Sequence, residues 1–143
     1  MTALRPASRE KILINKLNSF TSTEQLAQFL LEKGKKLPIT PREQFMEADE
    51  VRGCQSLMYC KVILMGDESA SIQLYSDALI SKGLAYLAYD IYSGSTLRDL
   101  LLFQSRIIEE VDLLTKLSIG RSHGLASLLA AIPQRAMQTI QKS

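Results

Sequence analysis

Leu57-Met58-Tyr59-Cys60-Lys61-Val62-Ile63-Leu64-Met65, then Gly66-Asp67, then Ala70-Ser71-Ile72-Gln73-Leu74-Tyr75-Ser76 carry the main strand signal of the chain. The first run is apolar except for Lys61. That suits a strand largely buried against helices, with a short helix as the alternative. Gly66-Asp67 is a turn signal. The second run alternates small or polar residues with apolar ones, a strand period. Together they predict an antiparallel hairpin. Little else in the chain reads as strand, so the sheet is small. The expected fold class is α+β, one domain over residues 1–143 with a small antiparallel sheet packed against several helices.

Just before the hairpin stands Glu50-Val51-Arg52-Gly53-Cys54-Gln55-Ser56. Cys54 follows a glycine and precedes two polar residues, which places it in a loop tip feeding the strand. Loops on a rigid scaffold are where reactive groups concentrate. Gly53 removes a side chain beside the sulfur and permits unusual backbone angles. Arg52, if it points at the sulfur, would favour the nucleophilic thiolate. The plain alternative is a small buried hydrophobe. Cys60, inside the strand, reads most simply as core.

The flanking segments read as helices. Ser8 is a cap for a first helix with Ile12, Leu13 and Leu17 on its apolar stripe. Ser22 with Gln25 makes a capping box for a second, which buries Leu26, Phe29 and Leu30 and stops at Gly34. Thr40-Pro41-Arg42-Glu43 predicts a short helix before the acidic group Glu47, Asp49 and Glu50. That segment offers few core residues and is expected to be mobile. After the hairpin, Ser76 is a cap and Asp77 a first-turn carboxylate for a central buried helix reaching Tyr92. Gly94 ends it. Ser95 or Thr96 caps the next, Gln104-Ser105 breaks it, and Ile107 to Leu114 resumes. Ser118 caps the last helix, whose core face includes Leu125, Leu128, Leu129 and Ile132. Pro133 should kink or divide it.

A chain of 143 residues with 46% hydrophobic and 22% charged residues is ordinary for a globular domain. A net charge of +2 is too small to argue by itself for a nucleic-acid partner, and none is expected. The apolar runs are too short for a bilayer span, and the first residues lack a signal-peptide core. Two cysteines make no disulfide framework, so a cytoplasmic, reducing setting is expected.

Several chemistries compete on the residues alone. Cys54, Cys60 and His123 do not have zinc-site spacing, though carboxylates could complete a site. His123 could activate Cys54 as a base in a cysteine hydrolase, but a lone histidine near a helix start is more often a surface residue. Arg121, in the first turn of the last helix, and the helix dipole would favour a thiolate if that terminus faces Cys54. No Gly-rich phosphate loop is present.

Taken together, these stretches resemble the SufE family of sulfur-acceptor proteins. The likeness rests on Gly53-Cys54-Gln55-Ser56 before an apolar strand, on Ser76-Asp77-Ala78 with Lys82-Gly83-Leu84, on Arg121-Ser122-His123-Gly124-Leu125, and on Leu37-Pro38. It runs from about the second helix to Pro133. The resemblance implies a SufE/IscU-like fold. It also implies a partner of a SufS-like, pyridoxal-phosphate cysteine desulfurase, with no cofactor of its own and no enzymatic activity alone. Cys54 would accept persulfide sulfur and pass it toward a downstream iron–sulfur cluster scaffold. Arg121 and Asp77 match family positions and are candidate supports; His123 is a weaker candidate, standing where the family often has glutamine. Tyr59 stands near a family tryptophan, and Cys60 is outside the pattern. The alternative reading is an IscU-like iron–sulfur or zinc-binding scaffold.

Overall fold

A computed structural model of the chain describes residues 5–38 and 40–141. The hairpin forms as expected. Strand β1 (Met58–Leu64) pairs antiparallel with β2 (Ala70–Ser76), in register from Met58 opposite Ser76 to Leu64 opposite Ala70. The period-2 geometry turns Met58, Cys60 and Val62 to the same face as Leu74, Ile72 and Ala70, and all six are buried.

The helices supply the layer beneath that face. They are α1 (Pro6–Asn18), α2 (Thr23–Gly34), α3 (Leu79–Tyr92), α4 (Leu97–Leu102), α5 (Ile107–Val111), α6 (Leu113–Lys116) and α7 (Ile119–Gln141). The α+β class is therefore as expected. Helix α7 packs under β1 and α3 under β2; α1 and α2 pack in turn on α3, and α4 on α7. Helix α3 is the central one, with Leu84, Ala85, Leu87, Ala88 and Ile91 all buried.

The α2–α3 crossing is set by glycine. A methyl group at Gly83 would overlap the Leu30 carbonyl, and one at Gly34 would stand 2.9 Å from the Gly83 nitrogen. Gly34 is thus the last residue of α2 and also half of a close helix contact. Side-chain caps set three of the helix starts. Ser22 Oγ accepts from the Gln25 amide at 3.2 Å, and Gln25 Oε1 accepts from the Thr21 amide at 2.6 Å. Thr96 caps α4 through the Asp99 amide, and Ser118 caps α7 through the Arg121 amide.

Several expectations need correction. Helix α1 begins at Pro6, with Arg5 as its cap, because proline presets the first helical φ; Ser8 lies inside it. Ile12 is 61% exposed, so the buried apolar stripe of α1 is Leu13 and Leu17, with Ile14 half-buried against the core. Ser76 is the last residue of β2, not the cap of α3; that position falls to Ala78, whose side chain cannot cap. The segment Ile107–Leu114 is broken by Asp112 in the left-handed region, φ +57°. Pro133 does not divide α7, which runs unbroken to Gln141. Buried residues on both sides, Leu128, Leu129 and Ile132 before and Ala136 after, bind the two halves to the same core.

The stretch before the hairpin holds two 3₁₀ turns, Arg42–Gln44 and Glu47–Asp49. It covers the outer face of the sheet. Phe45 is buried and stacks on Tyr59, 5.4 Å between ring centroids, with Tyr75 beside both. The Arg42 guanidinium lies 4.3 Å from the Tyr59 ring centre. This is why Tyr59 is buried although its neighbours Met58 and Cys60 face the other way. The short segment thus carries one core residue, Phe45, that its polar composition conceals.

Candidate functional site

The loop bearing Cys54 is closed at its base and lies against α7 at its tip. Val51 is buried, and its amide donates to the Met58 carbonyl at 2.8 Å. Glu50 bridges to Tyr59 in antiparallel fashion. Arg135, on α7, fastens the same stem: Nε donates to the Cys60 carbonyl at 3.3 Å and Nη2 to the Glu50 carbonyl at 3.1 Å. Residues 52–57 form the free tip beyond this stem.

The tip rests on a seam of small residues. A methyl at Gly120 would stand 2.7 Å from Gln55 Oε1, and one at Gly124 3.5 Å from the Cys54 Cα. On the loop side, a methyl at Gly53 would stand 2.6 Å from Ser127 Oγ. Positions 120, 124 and 127 share one helix face. Gly53 has φ +94°, in the region that favours glycine. These contacts leave Cys54 half-buried, its thiol donating to the Gly124 carbonyl at 3.5 Å, a long contact suited to sulfur.

The pocket around the sulfur has a volume of about 10 Å³, with Met58, Leu84, Leu125 and Leu128 as its apolar floor and Ser81 and Arg121 among its other walls. Burial pushes the Cys54 thiol up from its ordinary value, and the negative charge of Glu50 adds to this. The expectation that Arg52 would favour the thiolate does not hold in this arrangement: Arg52 is exposed, and desolvation dominates. In this seat burial disfavours the thiolate, which is the nucleophilic form.

The other sequence-derived residues divide. Arg121 is exposed and lines the Cys54 pocket. His123 is exposed, does not line that pocket and makes no hydrogen bond to Cys54 among the described residues, so no Cys–His dyad stands assembled. Asp77 lines a different and larger cleft of about 390 Å³. Leu37, Pro38 and Lys82 line that cleft too, so those motif residues converge away from the sulfur. Cys60 is wholly buried, and its thiol is pushed up to about 12, chiefly by burial. Among the described residues no group of three or more His, Cys, Asp and Glu side chains gathers as a metal-binding set. Nor is any described helix long and apolar enough to cross a membrane.

Sequence reasoning missed Arg135 and Gly120. Gly120, Gly124 and Ser127 at helical spacing were a legible sign of close packing. Arg135 left no such sign, because its partners are backbone carbonyls.

Comparison with known proteins follows the same outline. Residues 11–136 match the family model described as "SufE: Fe-S metabolism associated domain". The fold is also similar to a solution structure of a hypothetical protein from Thermus thermophilus. That match has a TM-score of 0.77 at 19% identity, over 97% of this chain and 99% of that one.

Proposed function

The chain belongs to the SufE family and has a general role in iron–sulfur metabolism, and from that premise we propose that it is a sulfur acceptor and activator for a cysteine desulfurase, carrying persulfide sulfur on Cys54. The observation that carries this reading is the seat of Cys54. A lone cysteine at a loop tip is held half-buried on a glycine seam, with its thiol desolvated, while the loop stem is fastened to α7 and β1.

The chemistry is thiol exchange. Cys54 loses its proton, and the thiolate attacks the outer sulfur of a persulfide on the desulfurase. A new Cys54 sulfur–sulfur bond forms, the old one breaks, and the desulfurase cysteine leaves as thiolate. One sulfur–sulfur bond replaces another, so no oxidant or reductant is consumed. Seated, the thiol holds its proton more tightly, because burial and then Glu50 disfavour the thiolate. Swung out, it sheds the apolar floor and the field of Glu50, and its pKa falls toward the ordinary range, where thiolate is available. The same seat shields a loaded persulfide from stray thiols. Arg121, exposed on the pocket wall, would attract the anionic sulfur as the loop leaves or returns. A reducing, cytoplasmic setting suits two free cysteines. The donor set gives the cluster-scaffold reading no support, since Cys54 has no second thiolate beside it and Cys60 is sealed in the core.

The test is direct. Protein is incubated with an active cysteine desulfurase and cysteine, without reductant, and its intact mass is measured. Increments of whole sulfur atoms should appear, and Cys54→Ser should abolish them with circular dichroism unchanged. Sulfur uptake retained in Cys54→Ser would sink the assignment. Loop motion is tested separately: Cys54 should alkylate faster in the presence of the desulfurase, and equal rates would argue against it.

A further inference from the structure

The base of the Cys54 loop is held by a cation that makes no ion pair among the described residues. Arg135 is half-buried on α7, and its guanidinium meets backbone carbonyls instead. Nε donates to Cys60 at 3.3 Å, and Nη2 to Glu50 at 3.1 Å and, at the limit, to Asp49 at 3.5 Å.

The sheet register explains why a side chain is needed there. In an antiparallel ladder, opposed residues alternate between bonded and unbonded pairs. The Met65 amide donates to the Ser69 carbonyl at 2.9 Å, so Tyr59, Lys61 and Ile63 are the residues of β1 that bond β2. Met58 and Cys60 turn their backbone groups to the opposite edge. There the Val51 amide takes the Met58 carbonyl, and Glu50 bridges to Tyr59. A continued ladder would bring the Asp49 amide to the Cys60 carbonyl. That amide is committed elsewhere, to the Met46 carbonyl at 2.9 Å, because the chain coils into the 3₁₀ turn Glu47–Asp49. Arg135 supplies the donor that the coiled chain withholds.

A guanidinium holds its donors in a rigid planar fork, so one side chain fixes β1 and the loop stem at a set spacing. Its charge makes these bonds stronger than the amide bond they replace. With the fork gone, the lone bridge between Glu50 and Tyr59 is what remains of the pairing. The clamp also fixes Glu50, whose negative charge acts on Cys54; the other charged group at the sulfur is Arg121 on the pocket wall. We propose that Arg135 is a positioning residue for Cys54: its fork replaces a missing strand donor, ties Glu50 to β1, confines loop movement to residues 52–57 and so sets how often the sulfur leaves its seat. This rests on the sulfur-carrier reading, in which the tip moves.

Iodoacetamide labelling of the protein, read by mass, tests the clamp without a desulfurase. Arg135→Met keeps the aliphatic stem of the side chain and loses the fork. Cys54 should then label about tenfold faster near neutral pH, and the midpoint of its pH–rate profile should move down. Arg135→Lys should resemble Arg135→Met, because an ammonium lacks the planar fork, and it carries the comparison if Arg135→Met does not fold. Gly83→Ala, destabilised in the helical layer, controls for lost stability and should leave the Cys54 rate near that of the wild type. Glu50→Gln keeps the clamped carbonyl and removes the charge, so the acceleration it causes should be largely lost in the Arg135→Met background. Wild-type labelling in folded Arg135→Met or Arg135→Lys, or additive effects of Arg135→Met and Glu50→Gln, overturns the proposal. Failure of the wild-type protein to gain sulfur from an active desulfurase sinks the carrier reading instead, and the labelling rates then decide the role of Arg135 by themselves.

Discussion

Cys54 and Cys60 lie on one continuous stretch of chain, and burial raises the pKa of both thiols. What separates them is how that burial can be undone. Cys60 is inside β1, under α7, and reaching it requires the sheet to leave its helices. Cys54 is covered by a seat that its own loop occupies. The stem at Val51–Met58 and the Arg135 contacts lie outside that seat, so on the sulfur-carrier reading the loop would vacate it without breaking them. A reactive cysteine here is one whose desolvation is reversible at low cost; an inert one has the same desolvation built into the core.

The widest gap should appear in thiol labelling. Under native conditions Cys54 is expected to alkylate on the order of 10³-fold faster than Cys60, because only global opening exposes the latter. Comparable rates would show that β1 opens locally and would erase the distinction.

Two glycine substitutions sharpen it next. Gly83→Ala drives a methyl into the Leu30 carbonyl and should cost about 3 kcal/mol of stability, while seated Cys54 keeps its reactivity. Gly53→Ala meets both φ +94° and Ser127 Oγ, and should cost about 1–2 kcal/mol. Its signature is different: the loop unseats and Cys54 labels faster. Denaturant melts and alkylation rates on the two variants should therefore move in opposite order of size.

Alkaline pH offers a third handle. A thiol whose folded pKa is raised binds its proton more tightly in the folded state than in the unfolded one. Its contribution is complete below the unfolded value, about 8.5, and is lost as pH rises toward the folded value, about 12 for Cys60. Unfolding free energy should fall between those limits, and less steeply in Cys60→Ala. An identical slope in that variant would assign the loss to other groups.

The smallest effects concern charge near the loop. Glu50→Gln removes the negative field that adds to burial, so Cys54 should alkylate a few-fold faster near neutral pH. A slower rate would reverse the sign of that account.

What could be read in the sequence was whatever local chemistry determines. The hairpin followed from period-2 alternation around Gly66-Asp67, and the Ser22, Thr96 and Ser118 caps from hydroxyls at helix starts. The loop position of Cys54 was legible from Gly53 and the polar residues after the sulfur. The rest depends on tertiary neighbours. Ser76 reads as a cap until the β2 register claims it. Arg52 reads as a thiolate-stabilising charge until the loop turns it to solvent. Asp77 is a candidate support for Cys54 through the family resemblance until the fold gathers it with Leu37-Pro38 at another cleft. Arg135 has no local signature because its role exists only once α7 lies beneath β1.

The space left beside the Cys54 sulfur, about 10 Å³, is near the minimum that admits a single water. On the sulfur-carrier reading, a sulfur loaded on Cys54 would fill that space in place of water and lie against the apolar floor, where no ordered solvent stands ready to carry a proton to it.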